Sequence, residues 1–142
     1  MKKIGSIGFL LILSILFIQN VQANLQKIAS CKNCNMDLFD NRFDSKFILN
    51  QKETVFCSIE CLVKYVQKEK IEQAQFFVSN YEQPNKFLDA QKASFLISKK
   101  ITSPMGAHLA AFSNAETAKK MAGKRTGNVY SWSELHDVLL TK

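Results

Sequence analysis

The distribution of apolar and polar residues separates a short apolar leader from a longer mixed segment. Lys2 and Lys3 precede an apolar run over residues 7–18, and small residues lie at the third and first positions before a cut after Ala23. A run of this length is short for a bilayer span and is typical of a secretory signal peptide. We therefore predict a signal peptide at residues 1–23 and an exported, periplasmic domain at residues 24–142.

Two alternatives leave the domain on the same side of the membrane but anchor it there. The leader could remain uncleaved as an anchor helix. The sequence Ile28-Ala29-Ser30-Cys31 also has the apolar-small-small-Cys form of a lipid-attachment site, although polar residues separate it from the apolar run. A lipidated Cys31 would be a thioether and no longer a thiolate ligand.

The first half of the mature segment is predicted to fold as strand, strand, helix, strand. Residues 43–49 and 54–56 are rich in strand-forming side chains, and residues 50–53 provide a turn between them. Ser58 can cap a helix, and a third strand is predicted at residues 75–79. The apolar residues that share one face of this helix are Ile59, Leu62, Val63 and Val66.

The same order recurs after a turn-rich connection at residues 80–85. The predicted strands of this half cover residues 93–98, 108–112 and 128–130. A capping box at residues 113–116 opens a helix that Gly123 can end, and Ser131 starts a terminal helix. The predicted fold class is therefore α+β, with two strand-strand-helix-strand units packed as one domain.

The size and charge of the chain exclude some classes of function. A domain of this length can bury a core without help from a metal or a disulfide, and most of its eleven phenylalanines are expected to lie in that core. Removal of the leader lowers the formal charge from +7 to +5. The lysines form no basic run and no aromatic-interleaved patch, which argues against nucleic-acid binding.

All four cysteines lie in two short segments. Cys31 and Cys34 are separated by two residues, and Cys57 and Cys61 by three, with the predicted strand hairpin between the pairs. This spacing is close to that of small sulfur-ligated metal sites, although disulfides can use it too. Cys57 and Cys61 also bracket the first turn of a predicted helix, where the dipole and free N–H groups favour thiolate.

Two methionines help to distinguish which metal a site formed by these cysteines would bind. Met36 follows Cys34 closely, and Met105 lies in an irregular loop between Pro104 and Gly106, where core packing is poor. Thioether and thiolate sulfur favour Cu(I), whereas Zn(II) prefers four thiolates or added imidazole. His108 is a candidate additional ligand. Cu(I) is the predicted metal, with zinc as the alternative.

Two other classes of function use the same cysteines. A thiol-disulfide oxidoreductase would need the Cys-x-x-Cys pair to open an apolar helix, and Met36-Asp37 has no helical pattern. A structural module could use the four cysteines as a zinc site or as two disulfides and serve only for docking. The sequence contains no hydrolase, phosphate-binding or zinc-protease motif, so we predict a binding and transfer protein and not an enzyme.

Several short motifs, taken in their order along residues 31–135, resemble the NosL family. They are Cys34-Asn35-Met36, Phe56-Cys57-Ser58-Ile59-Glu60-Cys61-Leu62, Leu88-Asp89-Ala90-Gln91-Lys92-Ala93, Ser103-Pro104-Met105-Gly106, Ala111-Phe112 and Val129-Tyr130-Ser131-Trp132. Proteins of that family are copper chaperones, described as accessory lipoproteins of nitrous-oxide reductase. The resemblance implies a Cu(I) carrier built from two strand-strand-helix-strand units.

Matched by position, the family's Cys-Gly-Met ligand motif falls on Cys34 and Met36, and its Met-Gly loop on Met105, so the resemblance implies that these three residues hold one Cu(I). Asn35 replaces the usual glycine. Three further thiols, which many members lack, are predicted to extend the sulfur site or to form a disulfide that shapes it; they belong to Cys31, Cys57 and Cys61. The implied partner is a copper-accepting enzyme or a copper transporter. Nitrous-oxide reductase maturation is the implied setting, and the extra thiols are equally compatible with another copper enzyme, such as an oxidase.

Overall fold

The computed structural model describes residues 29–140, so the predicted signal peptide lies outside the described residues. Within this range the seven strands are β1 Ser45–Leu49, β2 Lys52–Phe56, β3 Gln75–Asn80, β4 Gln83–Asp89, β5 Ser94–Ile97, β6 Leu109–Phe112 and β7 Asn128–Tyr130. The helices are α1 Ile59–Lys68, α2 Ala115–Arg125 and α3 Trp132–Leu140. None of these described helices is long and apolar enough to cross a bilayer.

All seven strands join one mixed sheet. Its order is β2-β1-β3-β6-β5-β7, and β4 also pairs with β3. Every pair is antiparallel except β3 and β6, which run parallel and meet at Asn80 and Ala111. The order strand-strand-helix-strand occurs in β1-β2-α1-β3 and again in β5-β6-α2-β7. The α+β class is therefore confirmed, and the contact between β3 and β6 joins the two halves into one domain.

Strand β4 was not expected from the sequence. Residues 80–85 read as a connection, but the chain turns at once and pairs back on β3 through Phe77 with Asp89 and Val78 with Leu88. The first five residues of β4 are exposed, and Pro84 is among them. An outer strand tolerates proline because its N–H groups need not enter a ladder. The absence of an apolar alternation explains why this strand escaped prediction.

The second helix is longer than predicted. Asn114 caps it, accepting a hydrogen bond from a first-turn N–H at 2.9 Å. The helix continues through Gly123 to Arg125, so the prediction that Gly123 ends it is wrong. Thr126 ends it instead, with a left-handed φ of 54°. Gly127 follows where the chain passes so close to β5 that a Cβ would lie 2.3 Å from a carbonyl oxygen, which only glycine allows.

The core lies between the sheet and the helices. The predicted inner face of α1 is confirmed, because Ile59, Leu62, Val63 and Val66 are all buried. Among the described phenylalanines the buried ones are Phe43, Phe47, Phe56, Phe76, Phe95 and Phe112. Phe39 and Phe87 are the exposed ones, at 67% and 38%. Phenylalanine is thus mainly a core residue here, as expected.

A buried carboxylate attaches the loop between β5 and β6 to α1. Glu60 is 2% exposed, and its Oε1 accepts hydrogen bonds from Ser103 Oγ at 2.6 Å and from the Ala107 N–H at 3.2 Å. Ser103 Oγ in turn accepts from the His108 N–H at 3.0 Å. These bonds hold the segment that carries Met105 against the first turn of α1.

Asp44 is the second carboxylate with an unusual environment. Its Oδ1 is buried and has no hydrogen-bond partner among residues 29–140. Burial, together with the nearby charge of Asp40, raises the pKa of Asp44 from 3.8 to about 6. The folded protein therefore binds more protons at this group than the unfolded chain does between these two values, and its stability falls as the pH rises through them.

The Glu60 attachment predicts a stability loss. The substitution Glu60→Ala leaves the Ser103 hydroxyl and the Ala107 N–H without their acceptor, and we expect the free energy of unfolding to fall by about 2 kcal/mol. Urea denaturation followed by circular dichroism measures this change. Glu72→Ala, at an exposed position, is the control and should change little. A Glu60→Ala protein as stable as the control would show that the loop does not depend on this carboxylate.

The Asp44 environment predicts a pH dependence. We expect the wild-type protein to lose stability between pH 4 and about 6 relative to Asp44→Asn, because asparagine has no proton to lose in that range. Urea midpoints of both proteins at several pH values give the difference. Parallel curves for the two proteins would mean that Asp44 titrates normally in the fold.

Candidate metal centre

Cys31 and Cys34 lie on a tight loop at the start of the described chain. Ser30 and Asp37 pair as an antiparallel bridge that closes the loop. Inside it, the Cys31 N–H donates to the Met36 carbonyl at 2.7 Å. The loop is therefore held by its own backbone hydrogen bonds, and its two cysteines do not begin a helix.

Two further contacts shape this loop and place it on the sheet. Asn35 has a left-handed φ of 63°, a conformation that asparagine tolerates better than most residues, and its N–H donates to the Cys31 carbonyl at 2.9 Å. The Lys32 N–H donates to the carbonyl of Val55 in β2 at 3.0 Å. The first pair of cysteines is thereby brought beside the end of β2, where the second pair begins.

The second pair lies where β2 passes into α1. Cys57 follows the strand directly, and Ser58 caps the helix by accepting a hydrogen bond from the Cys61 N–H at 3.2 Å. The Ser58 carbonyl accepts from Ser45 Oγ at 2.8 Å, which fixes the turn to β1. The predicted cap is thus confirmed, and both thiols lie at the positive end of the helix dipole.

The four thiols meet in one cluster, which we call the four-thiol cluster: Cys31, Cys34, Cys57 and Cys61. All four Sγ atoms lie within 4.8 Å of one another. The Cys34 and Cys57 sulfurs are 3.5 Å apart, and those of Cys57 and Cys61 are 3.8 Å apart. Four sulfurs bound at about 2.3 Å to one tetrahedral ion are about 3.8 Å apart. The cluster therefore has nearly the dimensions of a four-thiolate metal site.

The protein environment divides the thiols by their affinity for protons. Burial would raise the pKa of Cys31, but hydrogen bonds from backbone N–H groups of Cys57, Cys34 and Asn33 prevail and lower it to about 7. Burial raises the pKa of Cys61 to about 11, although the Asn33 amide donates to its sulfur at 3.5 Å. Burial likewise raises the pKa of Cys57. The expectation that the helix N-terminus favours thiolate at Cys57 and Cys61 is therefore wrong for the metal-free protein, because burial outweighs the helix dipole. A metal ion that binds all four as thiolates must therefore displace protons from the buried thiols.

The other predicted ligands occupy different surroundings. Met36 is 39% exposed and Met105 37% exposed. Met105 borders a surface cavity together with Glu60 and Lys64. His108 Nδ1 lies 2.7 Å from the Ile101 carbonyl, so this nitrogen donates to the backbone of its own loop. The structure thus gathers the four thiols and places both thioethers at the surface.

Asn33 and Glu60 are site residues that the sequence analysis did not identify. Asn33 contributes its amide to the Cys61 sulfur, and Glu60 attaches the Met105 loop to the helix that carries Cys61. Asn33 lies between two cysteines and Glu60 directly before one. Neither position has a periodic signal of its own, since each role depends on contacts with residues distant in sequence.

A family model and a solved structure match this chain. The NosL family model matches residues 22–140. The crystal structure of the copper chaperone NosL from Shewanella denitrificans has a similar fold, with a TM-score of 0.66 and 22% identity over 77% of this chain and 92% of that chain. No curated protein matches the sequence. The family match spans nearly the whole chain and confirms the resemblance seen in the motifs, so this protein belongs to the NosL family.

Proposed function

We propose that this protein is a copper chaperone that carries Cu(I) in the four-thiol cluster and passes it to a copper-accepting protein. The observation that carries this proposal is the convergence of four sulfurs within 4.8 Å at the junction of β2 and α1. Thiolate sulfur is a soft donor that suits Cu(I). Copper is here the cargo and not a catalyst, and the protein is a carrier and not an enzyme.

The polar groups around the cluster suit a cation bound by thiolates. Hydrogen bonds from backbone N–H groups lower the pKa of Cys31, so this buried thiol gives up its proton to a bound ion more readily than Cys57 or Cys61 does. The Asn33 amide and the backbone N–H groups stabilise negative charge on sulfur. As Cu(I) replaces the remaining protons, the positive ion supplies the charge compensation that the buried thiolates lack.

The thioethers of Met36 and Met105 are proposed as weaker ligands that capture copper or assist its transfer. Their exposure of 39% and 37% supports contact with incoming copper better than a role in the core. His108 is kept as a candidate additional ligand through Nε2, because Nδ1 already faces a carbonyl. These assignments extend the cluster toward the surface without adding to its buried part.

The protein that receives copper is proposed from membership of the NosL family. Nitrous-oxide reductase maturation is the setting that the family implies, and a different copper enzyme or a copper transporter would use the same cluster. Export of the domain rests on the predicted signal peptide. Burial of Cys31 within the cluster, at 2% exposure, supports a ligand role for this cysteine over lipid attachment.

A structural zinc site is the second candidate. Three of the four thiols are buried, and a closed four-thiolate site is the usual form of structural zinc in proteins. A thiol-disulfide oxidoreductase has less support, because the Cys31-Cys34 pair lies on a loop and not at the start of a helix. Metal preference is therefore the property that distinguishes the two leading candidates.

We expect the reduced domain, residues 24–142, to bind about one Cu(I) against a chromophoric Cu(I) competitor, and to bind it more tightly than zinc in a parallel titration. Cys57→Ser removes a direct ligand. It should weaken Cu(I) binding by more than about 100-fold, because loss of a residue that only supports a ligand already costs up to about 100-fold. Circular dichroism checks that the variant is folded. Zinc bound at least as firmly, with Cu(I) left on the competitor, would identify a structural site instead.

The methionines give a second test of metal identity. Met36→Leu and Met105→Leu should each lower Cu(I) affinity by about threefold to tenfold, the loss expected for one weak soft ligand, and leave zinc affinity unchanged. Met121→Leu is the matched control, because Met121 is half-buried and packs against a part of the core that includes Leu96 and Phe112 and contains no cysteine. Equal Cu(I) affinity in all three variants would remove the thioethers from the site.

A further inference from the structure

The four thiols differ sharply in access to solvent. Cys31 and Cys57 are each 2% exposed and Cys61 is fully buried, whereas Cys34 is partly exposed. A metal ion at the centre of the cluster would thus be covered by protein on the sides of three sulfurs. On the fourth side, next to the partly exposed Cys34, the ion would be less covered.

The chain around Cys34 explains this opening. Cys34 lies in the turn of the cysteine loop, and both of its neighbours, Asn33 and Asn35, are exposed. Met36, two residues further on, is exposed as well. Cys57 and Cys61, in contrast, lie at the junction of β2 and α1 within the buried core that also contains Phe56 and Leu62. The loop therefore closes over three thiols and leaves the fourth at its rim.

We propose that copper enters and leaves the cluster on the side of Cys34, which is the ligand exchanged first with a partner. This inference rests on the proposed copper-carrier function. The incoming donor is a thiolate or thioether that the partner presents at its surface. One bond forms between that sulfur and Cu(I), the bond to Cys34 breaks, and the released thiolate takes a proton from water. Copper remains Cu(I) throughout.

This order of exchange explains how the protein can bind Cu(I) tightly and still release it to a partner. While Cys34 is being replaced, the buried thiolates of Cys31, Cys57 and Cys61 still hold the ion, so it never becomes free in solution. The partner needs access to only one sulfur, and it need not open the core. A partner that presents no soft donor cannot begin the exchange, so a recipient needs an accessible soft ligand.

Two substitutions at the same position test the route. Cys34→Ser and Cys34→Leu both remove the exposed thiol and keep the three buried ones, so each should still bind about one Cu(I). Serine leaves the opening free, and leucine fills it with an apolar side chain that cannot bind metal. Transfer of Cu(I) to bathocuproine disulfonate, followed by stopped-flow absorbance, should be about tenfold slower from Cys34→Leu than from Cys34→Ser.

The outcomes separate this inference from the carrier function. Equal transfer rates from the two variants would overturn the route and leave Cu(I) binding by the wild type intact, whereas a wild type that binds no Cu(I) would reject both. A second measurement uses the Cu(I)-loaded wild type and a pulse of iodoacetamide, with the alkylated cysteine identified by mass spectrometry. Cys34 should be alkylated first. This measurement tests the proposed route even if the two variants bind no Cu(I). First alkylation at another cysteine would overturn the proposed route.

Discussion

The hydrogen bond from the Lys32 N–H to the Val55 carbonyl is the contact on which the four-thiol cluster depends, because it attaches the cysteine loop to β2. Cys57 lies only two residues beyond Val55, so this one bond brings the two distant pairs of cysteines to the same end of the strand. The strand is fixed in turn by its pairing with β1, and α1 by the Ser58 cap. The sheet and the helix thus provide the rigid frame, and a short loop completes the cluster.

Burial and hydrogen bonding act in opposite directions on the sulfurs within this frame. Burial favours neutral thiols, and it dominates at Cys57 and Cys61, whereas backbone N–H groups reverse it at Cys31. One thiolate is easier to accommodate in the metal-free cluster than four, because like charges this close repel strongly. A bound cation offsets part of that repulsion, so the packing that disfavours four thiolates alone is more compatible with their complex with a metal ion.

The sequence predicted the parts of the fold that depend on local pattern and missed those that depend on distant contacts. The apolar face of α1 and the Ser58 cap are encoded within ten residues, and both were predicted. Strand β4 is polar and interrupted by Pro84, and its pairing with β3 alone makes it a strand. Helix α2 continues through Gly123 and ends at Thr126, just before Gly127 packs closely against β5, and that contact between distant residues could not be predicted from Gly123.

The candidate site shows the same division. The spacing of the cysteines was sufficient to group them, because a hairpin returns the chain to its starting end. The methionines were grouped with them on chemical softness, on the nearness of Met36 to Cys34 and on the family resemblance, and none of these shows where the Met105 loop lies in the fold. Glu60 and Cys61 show what position adds: successive residues of a helix point about 100° apart, so in one turn Glu60 holds the Met105 loop while Cys61 faces the thiols. The first turn of α1 therefore contacts both the loop that carries Met105 and the four-thiol cluster, a relation that no local sequence pattern indicates.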